Sequence, residues 1–297
     1  MVKKAIVLAV SAGCLWGTSG YFVRELTGLG FSIMDIVASR MIIAGIAVFF
    51  IIMIKDKEML KVKPRDLWCL IGAGLGGTFT FNIFYTVATN LLTLSLASIL
   101  LCTMPIPVMI FSKFLFHEDI TRRKIVALVL ALTGCVLVSG IIENGASLSA
   151  KGVIFGILGS VGYALYNVFS RYAANKGYNS LTIIFYSFFS IAILSSVFAD
   201  FGKIGSAIQA RPGYMSVFLI LHALFVAILP YLFYTMCLKH IDTGTASIMA
   251  SSEPIAATVL GAFIYMEIPS VLNIIGIAIF IAALVLLNKP AKVERSI

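Results

Sequence analysis

Charge is what this chain has least of: 12% of its 297 residues are Asp, Glu, Lys or Arg, against roughly 25% in soluble domains. With 60% hydrophobic residues and a mean hydropathy of +1.05, no sizeable aqueous domain fits, and a soluble enzyme is excluded. The five cysteines (Cys14, Cys69, Cys102, Cys135, Cys237) contain no C-x-x-C pair and have no histidine at ligand spacing, so neither a metal site nor a disulfide framework is expected. No Walker motif is present. Gly72-Ala-Gly-Leu-Gly-Gly77 satisfies G-x-G-x-x-G, yet no strand precedes it and no acid follows about 20 residues on, so a dinucleotide is not expected and no cofactor is implied. No pair of membrane acids, Ser/Lys dyad or histidine cluster stands at reactive spacing, which argues against an intramembrane hydrolase or lipid transferase. A continuous polar stripe of the kind a channel needs is also missing.

What is present is a succession of apolar runs. A crossing helix needs about 20 apolar residues. Runs of that kind lie near residues 4–23, 33–54, 67–87, 93–114, 124–142, 152–170, 180–199, 215–236, 243–265 and 270–288, which predicts an all-α polytopic membrane protein of ten transmembrane helices in a lipid bilayer. The start imitates a signal peptide ending at Cys14, but the chain stays apolar through Val23, so it reads as a retained first helix. The net charge of +9 comes in short bursts between runs, the pattern of cytoplasmic loops rather than of a nucleic-acid surface. With both termini inside, seventeen basic residues fall inside and four outside, and Arg40 lies within a span. That bias supports an even number of crossings and cytoplasmic N- and C-termini.

Sliding the sequence along itself by 149 positions brings Phe84-Tyr85-Thr86 onto Phe233-Tyr234-Thr235, Ala97-Ser98-Ile99 onto Ala246-Ser247-Ile248, Pro105 onto Pro254 and Glu118 onto Glu267. At 147 positions Trp16, Phe22 and Arg24 meet Tyr163, Phe169 and Arg171. The chain therefore divides into two five-helix units, residues 1–147 and 148–297. Five being odd, the second must be inverted in the membrane, the arrangement that permits alternating access.

Gly13-Cys-Leu-Trp-Gly17, Ala38-Ser-Arg-Met-Ile-Ile-Ala-Gly45 and the paired Pro105/Glu118 and Pro254/Glu267 resemble the ten-helix EamA-type branch of the drug/metabolite transporter superfamily over nearly the whole chain. The resemblance implies an inner (plasma) membrane carrier with a central cavity shared by both halves, whose members move amino acids, amines, nucleotide-related compounds or drugs. Phe188 is taken to stand opposite Arg40, so only one half carries the membrane arginine.

The costly residues point to the site. Glu253, about ten residues into the ninth run, would cost roughly 2.5–3.5 kcal/mol in lipid, so it should face the bundle. Ala246, Ala250 and Ala257 lie on its side of an uninterrupted helix, with Ile248, Ile255 and Val259 opposite. It either couples transport to protons or cations, or only ties helices together. Arg40 should also face inward, as a structural partner, a clamp for a substrate carboxylate or a gate, and it could pair with Glu253. Trp16, Asn82, Tyr85, Tyr163, Tyr166, Asn167, Tyr234 and Ser252 are the other substrate-binding candidates, with Tyr231 the weakest of the aromatic set. Trp16, Tyr85, Tyr163 and Tyr234 are expected to form a four-ring cage, unless these rings belong to interfacial belts. His222 could relay protons or hydrogen-bond a neighbour. The glycines of 72–77, with Gly13/Gly17 and Gly152/Gly156, read as close-packing seams. Glu118 and Glu267 read as helix-end or gate residues. The expected function is secondary transport of a small polar metabolite, with amino acid export first and amines, quaternary ammonium compounds or cationic drugs second. The partners are a small-molecule substrate and lipid, and a monomer is compatible with this.

Overall fold

The computed structural model describes residues 2–92, 100–139, 141–144, 149–264, 266 and 270–288. Among them every regular element is helical. The main runs are α1 (Val2–Gly28), α2 (Ile33–Lys55), α3 (Pro64–Leu91), α4 (Leu100–Phe116), α5 (Arg122–Val138), α6 (Ala150–Asn175), α7 (Ser180–Ser196), α8 (Phe201–Ala210), α9 (Pro212–Cys237), α10 (Thr243–Ile264) and α11 (Val271–Asn288). Six of these, α1, α2, α3, α6, α9 and α10, are long and apolar enough to cross a membrane, and α7 with α8 could make a seventh. α4 and α11 are shorter apolar helices, and α5 runs for 17 residues.

Helix starts follow local chemistry. Ser32 opens α2 with a capping box: its Oγ accepts from the Asp35 N–H at 3.2 Å, and Asp35 Oδ2 accepts from the Ser32 N–H at 2.8 Å. The 23 residues that follow span about 34 Å, enough for a bilayer core. Asn179 caps α7 more simply, its Oδ1 accepting from the Leu181 N–H at 3.0 Å, and both caps follow a left-handed glycine, Gly30 and Gly177. Those landmarks are 147 positions apart, and they set the register of the following helices. They make Ser187, not Phe188, the counterpart of Arg40. Each residue lies eight positions beyond its cap, and Ser187 is buried with its hydroxyl donating to Ile183 O and Leu70 O.

Packing comes in exchanged couples. α1 packs on α9 and α10, and α6 packs on α3 and α4; α2 pairs with α7, and α5 with α11. Exchanging one half for the other reproduces the same set. Glycine seams allow the approach: a Cβ on Gly134 would lie 2.7 Å from the Gly276 carbonyl, and one on Gly77 2.5 Å from the Tyr166 Cα.

One expectation about the helices is corrected. The ninth run is not one helix: it ends at Ala250, turns at Ser251-Ser252 and restarts at Glu253, with Pro254 in the first turn. A face drawn through an uninterrupted helix therefore fails there, and Ile248, assigned to lipid, is fully buried. After α7 the chain turns sharply, and α8 leaves α7 at 100°. Within the glycine-rich stretch, residues Gly72–Phe79 form a π-helical segment inside α3, matched by Leu224–Ile228 inside α9. The two segments end at equivalent positions, 149 apart.

Candidate functional site

The core of the bundle is a knot of rings from α1, α6 and α9. The Trp16 ring centroid lies 5.3 Å from Tyr231, 5.5 Å from Tyr234 and 6.3 Å from Tyr163. Tyr166 closes on Tyr231 at 5.2 Å and on Tyr234 at 6.3 Å. Edge-on contacts of this kind suit the ring quadrupoles and exclude water. Tyr85 does not join the knot. It stacks on Phe81 at 5.5 Å, and Phe81 in turn reaches Tyr163 at 6.3 Å, so the expected four-ring cage has three rings in mutual contact and the fourth one step away. Tyr234 donates its hydroxyl proton to Asn167 Oδ1, and Asn167 Nδ2 donates to Tyr163 O at 2.9 Å. Both side chains are fully buried and satisfied.

On one flank lies Glu253. The break in α10 sets it against a cavity of about 20 Å³ whose wall includes Trp16, Tyr163, Cys102, Met104 and Pro254. That is room for about one water. Gly13 and Gly17 let α1 press on the break: a Cβ at Gly17 would stand 2.6 Å from the Glu253 carbonyl, and one at Gly13 2.2 Å from that of Ala250. Ser252 Oγ donates to Val10 O at 3.1 Å, which ties the turn to α1. Among the described residues the Glu253 carboxylate has no hydrogen-bond or ion-pair partner.

On the other flank lies Arg40, only 6% exposed on α2. Among the described residues its one hydrogen bond, from Nη2 to Asn82 Oδ1, is long at 3.3 Å, and its Nε has no partner. Asn82 is held in turn by its own Nδ2 bond to Thr78 O at 2.7 Å. Tyr231 and His222 are within electrostatic reach of Arg40, and His222 is fully buried with neither ring nitrogen partnered among the described residues. Thr78 lies beside the Tyr231 hydroxyl and Ser170 beside that of Tyr166, all of them buried. Arg40 and Glu253 make no ion pair with each other among the described residues.

Tyr231, the weakest sequence candidate, is the hub. It touches Trp16, Tyr166 and Phe188, and it lies within electrostatic reach of both Arg40 and Glu253. A signal for it existed, because Tyr231 lies 149 positions after Asn82 and shares that residue's place in the repeat. Thr78 and Phe81 carried no such signal.

The ends of the bundle are tied unequally. On the face that holds the amino terminus, Asp66 is bonded by Lys176 and by the Tyr178 hydroxyl at 2.8 Å, and the Lys63 N–H donates to that hydroxyl at 3.2 Å. Glu118 there accepts from the N–H groups of Thr243 and Gly244 and from the Thr243 hydroxyl at 2.9–3.3 Å, capping α10 across the two halves. Glu267 lies outside the described residues. At the opposite face Asp35 Oδ1 accepts from the Asp200 N–H at 2.7 Å, and Lys203 Nζ donates to Gly30 O at 3.0 Å.

The sequence profile of the EamA-like transporter family matches residues 3–140 and 150–289, one copy for each half. Two uncharacterized transporters of Archaeoglobus fulgidus are 24% and 28% identical, over 90% and 96% of this chain and 91% and 95% of theirs. The uncharacterized transporter YetK of Bacillus subtilis is 24% identical over 82% of this chain and 75% of its own. One crystal structure of a protein 18% identical superposes with a TM-score of 0.79 over 97% of both chains, which shows the shared fold.

Proposed function

The chain belongs to the EamA-like transporter family of the drug/metabolite transporter superfamily, and from that premise we propose that it carries a zwitterionic metabolite of the amino-acid class by alternating access. One observation carries the reading: a buried arginine without an acid and a membrane glutamate without a cation, among the described residues, flank the same aromatic knot, with Tyr231 in reach of both. Burying an isolated charge costs several kcal/mol, and a substrate that brings the two missing countercharges would offset that cost on binding. A carboxylate would meet Arg40 and an ammonium group Glu253, and the rings would take an apolar or aromatic side chain. A purely cationic amine would satisfy Glu253 and leave Arg40 opposing it, which puts the amine and drug readings second.

Ten crossings in two inverted units, residues 1–147 and 148–297, are the topology this mechanism needs. The exchanged packing couples and the basic bias toward the amino-terminal side support it, with both termini cytoplasmic in the plasma membrane. Glu253 is the coupling group in this scheme, taking a proton when substrate is absent, with His222 on the Arg40 flank as a relay through water.

Reconstituted proteoliposomes test it. Wild type should exchange a labelled amino acid and take it up under a proton gradient, whereas Glu253→Gln should lose the gradient-driven component. Gradient-driven uptake unchanged in Glu253→Gln would remove the coupling role, and transport of amines with no amino acid exchange would remove the zwitterion reading.

A further inference from the structure

A second cavity lies outside the central chamber. Between the end of α1 and the start of α9, a space of about 450 Å³ is lined by Arg24, Glu25, Gly28, Arg211, Tyr214 and Phe218, among others, and none of these borders the small cavity at Glu253. The equivalent ends in the other half are those of α6 and α3. Gly30 matches Gly177, and Pro64 and Pro212 both open their helices. There the ends are drawn together by the Asp66, Lys176 and Tyr178 bonds. Here they stand apart, with Glu25 on one wall and Arg211 on the other, and among the described residues neither side chain has an ion-pair partner. The floor is aromatic and leads inward: Tyr214 stacks on Phe218 at 5.8 Å, Phe218 meets Phe22 at 5.1 Å, and Phe22 stacks on His222 at 5.2 Å, beside Arg40.

We propose that this cavity is a second binding site, an outer vestibule that receives a solute bearing an ammonium group next to an anionic oxygen group before it reaches the chamber. Arg211, with Arg24, takes the anionic group, Glu25 takes the ammonium group, and Tyr214 packs on the side chain. A simple anion would be opposed by Glu25 and a simple cation by two guanidinium groups, so the mixed lining selects a group of both signs. The proposal rests on the zwitterion reading of the chamber, and it places the cavity on the extracytoplasmic face of the orientation adopted above. The phosphoethanolamine headgroup of a lipid shares this chemistry. The free solute is favoured because the floor continues toward Arg40.

The test is equilibrium binding of tritiated protein amino acids, each in turn, to the purified full chain in phosphatidylcholine nanodiscs. For at least one amino acid the wild type should bind two equivalents per chain. Arg211→Gln should remove one of them and Arg211→Lys restore it in part, while Glu253→Gln removes the other. Unchanged stoichiometry in Arg211→Gln overturns the vestibule and leaves the chamber standing. Loss of a site in Arg211→Gln with no effect of Glu253→Gln supports the vestibule and removes the chamber reading. Binding of no amino acid at all overturns both. Phosphatidylethanolamine retained by the wild type but not by Arg211→Gln in native mass spectrometry, with the second equivalent lost in discs of that lipid, assigns the cavity to lipid and overturns solute docking.

Discussion

Replacing Arg40 by methionine separates a structural arginine from one that waits for an anion. If Arg40 were one half of a buried ion pair, removing it would strand its partner and cost about 3–5 kcal/mol. Among the described residues it has no such partner. What is lost is one bond to Asn82 at 3.3 Å, at the weak end of the range and worth about 0.5–1.5 kcal/mol. What is relieved is an Nε without a partner, at about 1–3 kcal/mol, and part of the roughly 2.5–3.5 kcal/mol for holding arginine at membrane depth. Arg40→Met should therefore unfold no more easily than wild type and should gain about 1–4 kcal/mol. Removing a charge-assisted contact to a carboxylate costs about 2–3 kcal/mol, so amino acid affinity should fall about 30- to 150-fold. Chemical unfolding of the purified protein and radioligand binding to the same preparation measure the two quantities. A variant destabilised by 3 kcal/mol or more, or one that binds the amino acid as tightly as wild type, would refute the reasoning.

Gly17→Ala forces its Cβ to within 2.6 Å of the Glu253 carbonyl, so α1 must move off α10; a loss of about 1–3 kcal/mol in unfolding and a fall in transport are expected. Gly134→Ala puts a similar clash, 2.7 Å from the Gly276 carbonyl, into the α5 and α11 pair remote from the chamber, and should lower stability by a comparable amount while leaving amino acid affinity unchanged. Lys176 lies just past α6, and its hydrogen bond to the Asp66 carboxylate raises it above the ordinary lysine value. Its contribution is therefore complete below that ordinary value and is lost as pH rises through the raised one. Lys176→Met should expose Cys69, which is buried beneath the tie and donates to Asp66 O, to faster labelling by a thiol reagent at neutral pH when the other four cysteines are replaced by serine. Labelling as slow as in wild type would show that the tie does not hold this end shut.

How much of this was legible in the sequence depends on whether the signal was carried by composition, by spacing or by a break. Composition alone gave the helical membrane class, because so few charges leave no other solvent for the chain. Spacing gave the repeat, and Trp16, Tyr163 and Tyr234 did come together because the repeat sets α1 and α6 side by side with α9. Breaks were not legible. A uniform 100° per residue carried through Ser251-Ser252 put Ile248 on the wrong face, and nothing in Gly72–Phe79 or Leu224–Ile228 announces a π-helical register. The two-residue slip between the repeat offsets hid Ser187 as the counterpart of Arg40 until both helix caps were fixed in space. Polar partnering was illegible for a different reason: sequence distance does not say whether Arg40 meets Glu253 or Asn82.

The irregular segments and the unsatisfied charges belong to one arrangement. A regular α-helix satisfies its own backbone and moves as a rod, whereas a π-helical segment or a broken helix holds its flanks by fewer well-formed bonds and is a frequent companion of functional sites. The π segments of α3 and α9 end at equivalent positions just before the turns that carry Asn82 and Tyr231, and the break in α10 carries Glu253. Each group on the flanks of the aromatic knot thus sits immediately beyond a point where its helix can bend, or beside one that does. If the amino-terminal face opens by bending at these points, Asn82 and Tyr231 must shift relative to Arg40 on the unbroken α2, and the pairing of Arg40 changes with access. Crosslinking α9 to α2, which pack on each other, through introduced cysteines that leave Arg40, Asn82 and Tyr231 in place should then arrest exchange while leaving one round of substrate binding intact; exchange at the wild-type rate in the crosslinked protein would disconnect the bends from the transport cycle.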